Sequence, residues 1–294
     1  PPPSEAMSVI DVHTHLYPED VWRDPRGWGE PREEYHWCDC VAPLDIPSIQ
    51  GWANLDKLLR DMDAARVEKV ILLGWYWENQ ATCEEQNRWY ARWVKEHPDR
   101  IGAFAALDAT SGKPALDTVN WAADHGFQGI GECFPQVQGH TLRDDCWIQV
   151  VEETISANLV INLHVTEPVG HEYPGKVDTP LADYVWLAGQ YPEAILILAH
   201  WGGLLPFYEL NPGVHKQMTN VYYDTAASPL LYKKKIFRNV LDAIGPERIL
   251  YGSDYPLRLY PGKLQQPDFQ TFLHEIHSAN LTPEEEEAIL YGNA

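Results

Sequence analysis

The sequence predicts one α/β domain, a (β/α)8 TIM barrel with a long loop after its first strand. Three observations predict it. Eight short β-rich runs recur along 294 residues, each followed by a stretch with helical signals. Most of the runs are continuously apolar, as strands covered on both faces are. Strict strand–helix alternation implies parallel strands joined by right-handed crossovers. A doubly wound open sheet would alternate in the same way, but no glycine-rich phosphate loop supports one, and eight units favour closure. The length exceeds the roughly 250 residues of a typical barrel by a margin that one long loop absorbs. The domain is expected over residues 7–294, with residues 1–6 a tag or extension before Met7.

The eight runs are Val9–His15, Val67–Gly74, Ile101–Leu107, Gly129–Cys133, Leu159–His164, Ile195–His200, Val221–Thr225 and Ile249–Asp254. Between them, Asn54 is a good N-cap before Leu55, Leu58, Leu59 and Met62. Over Cys83–His97, Trp89/Trp93 and Tyr90/Val94 sit four apart and make an apolar stripe that Pro98 stops. Pro114 opens a helix and Gly126 closes it. Asp144–Ala157, Leu181–Gln190 and Lys233–Ile244 read as helices too. Thr282-Pro283-Glu284-Glu285 opens the last one, with Glu284–Glu287 a solvated start that complements the helix dipole. Residues 17–51 form the long irregular stretch. Its prolines and its Trp22, Trp28 and Trp37 point to an ordered flap over the barrel mouth. The chain ends Ile289-Leu290-Tyr291-Gly292-Asn293-Ala294, where the last helix stops short, so the natural chain is expected to run further.

Composition excludes several functions. There are 22 Lys+Arg against 43 Asp+Glu, a formal charge of −21. Nucleic acid and anionic membranes need a basic face, so neither is expected as a partner. No apolar run approaches a membrane span, and no signal peptide is visible. Five cysteines in no framework spacing fit a reducing cytoplasm. Cys38-Asp39-Cys40 is half of a zinc pattern with no second pair, which favours a plain loop. Apolar aromatics on predicted helix faces admit a homodimer.

The polar residues carry the chemistry. Active sites of parallel barrels lie at the C-terminal ends of the strands. His13 and His15 end the first run, two residues apart and so expected on one face, with Val12 and Thr14 on the other. Glu132 ends the fourth run, His164 the fifth, His200 the sixth and Asp254 the eighth. Six candidate ligands thus come from five strands at one end of the barrel. Imidazole and carboxylate are the ligands of a catalytic Zn²⁺ that keeps a position open for water; the carboxylates also admit Mn²⁺ or Fe²⁺.

Asp11-Val12-His13-Thr14-His15-Leu16, His164, Ala199-His200-Trp201-Gly202-Gly203 and Tyr251-Gly252-Ser253-Asp254-Tyr255-Pro256 resemble the amidohydrolase superfamily. They are most similar to its amidohydrolase-2 branch of metal-dependent hydrolases and decarboxylases. The resemblance implies that His13, His15 and His164 bind metal together with Asp254. It implies that His200 stands just beyond the metal, polarising substrate or positioning water, and that Asp254 shuttles the proton. Glu132 is similar to the strand-four Glu of the TatD-like branch, which bridges two metals there; one or two ions are therefore expected.

The substrate is less legible. The expected reaction is hydrolysis of an amide, lactone or ester-like bond in a small organic molecule by metal-activated water. Non-oxidative decarboxylation of an (aromatic) carboxylic acid is the alternative, and a metal-binding barrel without turnover is the reading from another class. A carboxylated substrate would call for a cation at the mouth. Arg23, Arg26, Arg32, Arg143, Lys176 and Arg258 are available, with Arg258 the leading choice. Trp75, Tyr76 and Trp77, together with Trp201, are expected to form either an aromatic wall or rim packing.

Overall fold

The computed structural model describes residues 7–294; the expected tag or extension at 1–6 lies outside the described residues. Eight parallel strands follow one another in sequence order around a single sheet. They are β1 (Val9–Thr14), β2 (Val67–Leu73), β3 (Ile101–Ala105), β4 (Gly129–Cys133), β5 (Val160–Leu163), β6 (Leu196–Leu198), β7 (Val221–Asp224) and β8 (Ile249–Leu250). The sheet then curls back on its first strand. Val12 N donates to Tyr251 O (3.0 Å), Asp254 N to His13 O (2.8 Å) and His15 N to Tyr255 O (2.7 Å), so the barrel is nearly closed. Among the described residues no helix is long and apolar enough to cross a membrane.

Local chemistry accounts for the crossovers. Asn54 Oδ1 accepts from Lys57 N at 2.9 Å and starts the helix Leu55–Ala65, which buries Leu58 and Met62. The helix Gln80–Glu96 turns Tyr90 and Trp93 toward the barrel. Gly126, with φ +74°, ends the turn after Lys113–Asp124. Thr282 and Glu285 cap one another reciprocally at the start of Pro283–Glu287.

The strands are shorter than the apolar runs. β6 ends at Leu198 and β8 at Leu250, so His200 and Asp254 lie on the turns that follow, not on the strands. The apolar runs overshoot because those turns are themselves buried, and hydropathy cannot tell a buried turn from a strand.

The barrel interior also corrects the expected alternation in β1. Val12, Leu73, Phe104, Ile197 and Leu250 form one buried cluster with Ile10 and Ile71. Strands that are not neighbours meet only across the lumen, so Ile10 and Val12 face inward. Simple alternation would then send His13 outward. The β1–β2 pairing instead shifts register between Asp11 and Thr14, and β4–β5 shifts between Ile130 and Cys133. Such irregularities re-aim side chains beside active sites. Here they bring His13 and Glu132 to the same end of the lumen.

The stretch after β1 is more regular than a loop. It holds the short helices Glu19–Arg23, Pro25–Gly29 and Tyr35–Val41. Their apolar residues form a second core with Tyr17, Val21, Trp37, Cys38 and Val41, closed from below by Trp77 and Cys83. Trp37 lies 5.3 Å from Trp77 and 5.5 Å from Trp28, centroid to centroid, in tilted and edge-on pairs. Cys38 lies inside this core, and Cys40, half-buried, contacts His36 on the same short helix. Among the described residues neither belongs to a metal-capable group.

Trp37 is 1% exposed and joins the segment to the barrel. Trp37→Ala is expected to lower unfolding stability by about 3–5 kcal/mol. Chemical denaturation checks it; a loss below about 1 kcal/mol would mean that the segment does not share the barrel's core.

Candidate metal centre and cavity

Five side chains from different parts of the barrel converge at the ends of the strands. His13 and His15 meet nitrogen to nitrogen, Nε2 to Nε2, at 3.3 Å. Glu132 Oε1 lies 3.4 Å from His13 Nε2 and 3.5 Å from His15 Nε2. Asp254 Oδ1 lies 3.5 Å and 3.2 Å from the same two atoms. His200 Nε2 is 3.4 Å from the other oxygen of Glu132, Oε2. Among the described residues two groups could hold an ion: His13, His15 and Asp254, and His13, Glu132 and His200.

The orienting bonds decide what the converging atoms are. His13 Nδ1 donates to Asp224 Oδ2 at 2.8 Å, and His15 Nδ1 to the Leu73 carbonyl at 3.0 Å. With a proton on each Nδ1, both Nε2 atoms present lone pairs. Two imidazole lone pairs and two carboxylate oxygens then point at one spot with no donor among them. Such a set is stable only around a cation, a metal ion or protons. The titration of the cluster agrees. Burial opposes the charged form of His13, yet Asp224, Glu132 and Asp254 hold its pKa well above the usual value. His15 is raised too, burial being outweighed by Asp254 and Glu132. Burial favours a protonated Glu132, but His13, His15 and His164 hold its carboxyl well below the ordinary range. Asp254 is lowered by His13 and His15 against the effect of burial. His200, opposed by burial and favoured by Glu132 and Asp254, is pushed up to about 9. Imidazoles raised and carboxylates lowered around one point mark a focus of negative potential. The donor set fits a borderline or hard divalent cation.

Asp224, at the end of β7, is the residue that sequence reasoning missed. Besides His13 it accepts from His200 N (3.2 Å), Ala226 N (3.0 Å) and Asn162 Nδ2 (3.3 Å). It sits at a strand end like the others, and that position was the available signal. Asp11 is fully buried beneath, accepting from His13 N and Ser253 N, and burial pushes its carboxyl up to about 7.

His200 opens a run of left-handed backbone. His200, Trp201, Gly202, Gly203 and Leu204 have φ of 57°, 58°, 56°, 61° and 74°. Glycine suits such a turn; each non-glycine residue costs about 1–2 kcal/mol there. At Gly202 a Cβ would also sit 2.6 Å from the Tyr223 ring. His200 Nδ1 donates to the Ala226 carbonyl at 2.9 Å, and Trp201 Nε1 to Ser228 Oγ at 3.0 Å, which hold the strained turn.

The remaining sequence candidates divide. His164 Nδ1 donates to Glu132 Oε2 at 2.9 Å, its Nε2 faces Thr166 Oγ1 at 3.2 Å, and its ring stacks on Phe134. Burial, outweighing Glu132, lowers its pKa. It stands on the far side of Glu132 from His13 and His15. Trp75 lines the cavity, stacked on Tyr76 and edge-on to His15. Trp201 does not; it is fully buried against Phe237. Arg258 is not among the lining residues either. Its Nη2 donates to the Ser48 carbonyl at 2.6 Å and its N to Ile49 O at 3.0 Å, so it anchors the segment after β1. Arg23, Arg26, Arg32, Arg143 and Lys176 are likewise absent from the lining.

The cavity above the cluster has a volume of about 330 Å³. His15, Glu132, His164, His200 and Asp254 form its polar end. Trp75, Tyr76, Ile46, Ile49, Leu230 and Leu257 supply apolar walls. Its size suits one small ring.

The family model described as Amidohydrolase matches residues 10–294, and the chain belongs to that family. No curated protein matches the sequence. Solved structures share the fold. A 5-carboxyvanillate decarboxylase from Sphingomonas paucimobilis is 15% identical with TM-score 0.74, covering 98% of each chain. A dihydroxybenzoic acid decarboxylase from Polaromonas sp. JS666, with bound manganese and the inhibitor 2-nitroresorcinol, is 18% identical with TM-score 0.70, covering 98% of this chain and 95% of that one. A 2,6-dihydroxybenzoate decarboxylase from Rhizobium is 17% identical with TM-score 0.66, covering 98% and 97%.

Two measurements test the centre. At neutral pH, imidazoles with raised pKa hold protons that an entering ion must expel. Zn²⁺ or Mn²⁺ binding is therefore expected to release about one proton or more per ion and to tighten as pH rises. Calorimetry in buffers of different ionisation enthalpy reads this, and an unchanged heat across buffers would refute it. Asp224→Asn is expected to leave the fold intact and weaken metal binding about 10–100-fold, measured by competition with a chelator. Unaltered affinity would remove Asp224 from the centre.

Proposed function

We propose that the protein is a metal-dependent decarboxylase that removes CO₂, without oxidation, from a small aromatic carboxylic acid. The observation that carries this reading is the placement of a cation-demanding cluster at the end of a narrow, aromatic-walled cavity with no Lys or Arg in its lining. A carboxylate entering there finds its positive partner only at the centre. The solved structures of like fold whose names specify decarboxylases of ring acids support it, three of them with manganese. Manganese is accordingly the first ion to try, ahead of zinc.

His13, His15, Glu132 and Asp254 would hold the ion, with His164 beyond Glu132. When bound, the ion supplies a positive charge that grips and polarises the substrate's oxygens. The rest falls to the chain. Trp75 and Tyr76, stacked on one another, wall one side of the ring and exclude water. The His200 Nδ1 bond to Ala226 turns Nε2 toward the site, so that atom meets the substrate. Asp254, the more exposed of the two cluster carboxylates, is placed to relay a proton from water to the ring carbon that loses the carboxyl group. The C–C bond breaks, its electron pair stays on that carbon, and the proton joins it.

Hydrolysis stays as the second reading because one observation favours it. Glu132 divides its oxygens, Oε1 toward His13 and His15 and Oε2 toward His164 and His200. A carboxylate so placed can bridge two ions, an arrangement suited to water attack on a carbonyl.

Manganese-loaded protein screened against ring acids for CO₂ release, and against amides and lactones for cleavage, separates the two. Asp254→Asn is expected to lower kcat about 10²–10⁴-fold while most metal binding remains. Full turnover in that variant would remove the proton role.

A further inference from the structure

A second hollow adjoins the metal cavity, and Gln50 lines both. It is an open groove of about 480 Å³ whose lining includes Lys57, Arg60 and Arg258 but no Asp or Glu. In a chain with 43 acidic and 22 basic residues, three cations in one groove with no acid in its lining stand apart. Most guanidinium groups of the chain meet a carboxylate, as those of Arg26, Arg32, Arg143, Arg238 and Arg248 do. Even the Lys176 ammonium, beside the metal cavity, stands 3.6 Å from the buried Glu167. In the groove, Asp61 takes the charge of Lys57 from outside the lining. Among the described residues no carboxylate pairs with Arg60 or Arg258.

Both of these guanidiniums are open to a ligand. Arg60 is exposed and makes no hydrogen bond among the described residues; Arg258 is half-buried. Arg258 spends Nη2 on the Ser48 carbonyl at 2.6 Å, and its remaining side-chain N–H donors have no partner among the described residues. Half-burial weakens the competition of water for those donors, so a charged acceptor gains more there than on an open surface. The same groove has aromatic walls. Trp22 and Trp52 are half-buried and line it, and Trp52 is held edge-on against Tyr17 at 5.6 Å between centroids. Their inner faces are packed, and what remains uncovered faces outward beside the cations.

We propose that this groove is a second binding site, for an aromatic oxyanion, a carboxylate or a phosphate carried on a ring. Arg60 and Arg258 take the oxyanion, whose geometry the guanidinium fork matches, and the two tryptophans meet the ring. The site owes nothing to the metal centre or to the reaction proposed there. An anion held in it lies one wall away from the metal cavity: Arg258 donates to Ser48 O and Ile49 O, and Ser48, Ile49 and Gln50 all line that cavity.

The test is equilibrium binding by calorimetry to the full chain, chelated free of metal and again with manganese. The probes are benzoate, phenyl phosphate, inorganic phosphate and the uncharged benzamide. In the metal-free chain the better of benzoate and phenyl phosphate is expected to bind at least about tenfold more tightly than benzamide, and which of the two leads identifies the head group. Arg60→Gln and Arg258→Gln are each expected to weaken that binding about 3–10-fold. Arg258→Gln also frees the Ser48 segment, so Arg60→Gln, at an exposed side chain without partners, keeps the test valid if the other variant misfolds. Arg88→Gln removes an exposed guanidinium outside the groove and is expected to leave binding as it was. Failure of both ring anions to bind without metal, equal binding of benzamide, or unchanged binding in Arg60→Gln overturns the proposal. An equal loss in Arg88→Gln overturns it too, since the attraction would then be diffuse charge. Inorganic phosphate binding as tightly as phenyl phosphate overturns the ring-bearing class.

Discussion

Four acceptor atoms facing one another without a donor constitute the constraint from which the rest of the site follows. His13 and His15 turn lone pairs inward because Asp224 and the Leu73 carbonyl take their other ring protons. Glu132 and Asp254 add charge to the same point. Without a cation the set would repel itself, and the raised imidazoles and lowered carboxylates are the signature of that repulsion being relieved by protons. An ion performs the same office with more charge. The negative focus therefore makes a proposed metal site physically economical: it needs no rearrangement, only exchange of protons for metal.

Holding such a focus together places demands on the backbone. The register shifts in β1 and β4 sit just before the residues that must face the lumen, where regular pleating would have turned His13 away. After β6 the chain makes five successive left-handed residues to present His200, three of them without glycine's freedom. The anchors are local and specific: Ala226 and Asp224 on His200, Ser228 on the buried Trp201. Gly252 lets the backbone after β8 approach β1, for a Cβ there would sit 2.7 Å from the Cβ of His13. Strain gathered at one end of a barrel is the kind of backbone that clusters at binding and catalytic sites.

The barrel was legible because parallel strands buried on both faces leave continuous apolar runs, and eight of them admit few architectures. Positions at the ends of those runs then pointed to His13, His15, Glu132, His200 and Asp254, which the structure brings together. What escaped was finer than periodicity can resolve. Asp224 ends its run as the others do, but a single Asp after two tyrosines resembles an ordinary strand end. The inward turn of His13 depends on a register shift with no compositional mark. Arg258 follows Asp254 closely in sequence, yet the Ser48 carbonyl and the path of the chain after Pro256 draw its guanidinium from the cavity. Trp201 is adjacent to His200, but a left-handed turn separates neighbouring side chains sharply. Glu167 and Lys176 lie in a proline- and glycine-rich stretch where no pattern foretells a buried pair.

The absence of Lys and Arg from the lining bears on how a strongly acidic protein could handle the ring acid proposed as its substrate. A charge of −21 repels anions at long range, and the cavity itself holds Glu132, Glu167 and Asp254. Lys176 offsets only Glu167, at 3.6 Å and from outside the lining. Screening at physiological salt limits the repulsion to about 8 Å, so approach is not forbidden. Inside, however, binding of a carboxylate would have to rest on the ion at the proposed centre, with the apolar ring faces held by Trp75 and Tyr76. The metal-free cavity should then be a poor receptor for any anion, whatever its shape. A second carboxylate on the substrate would meet no Lys or Arg in the lining. Charge and shape would thereby be assigned to different ends of one cavity, the centre gripping the anion and the apolar wall holding its ring.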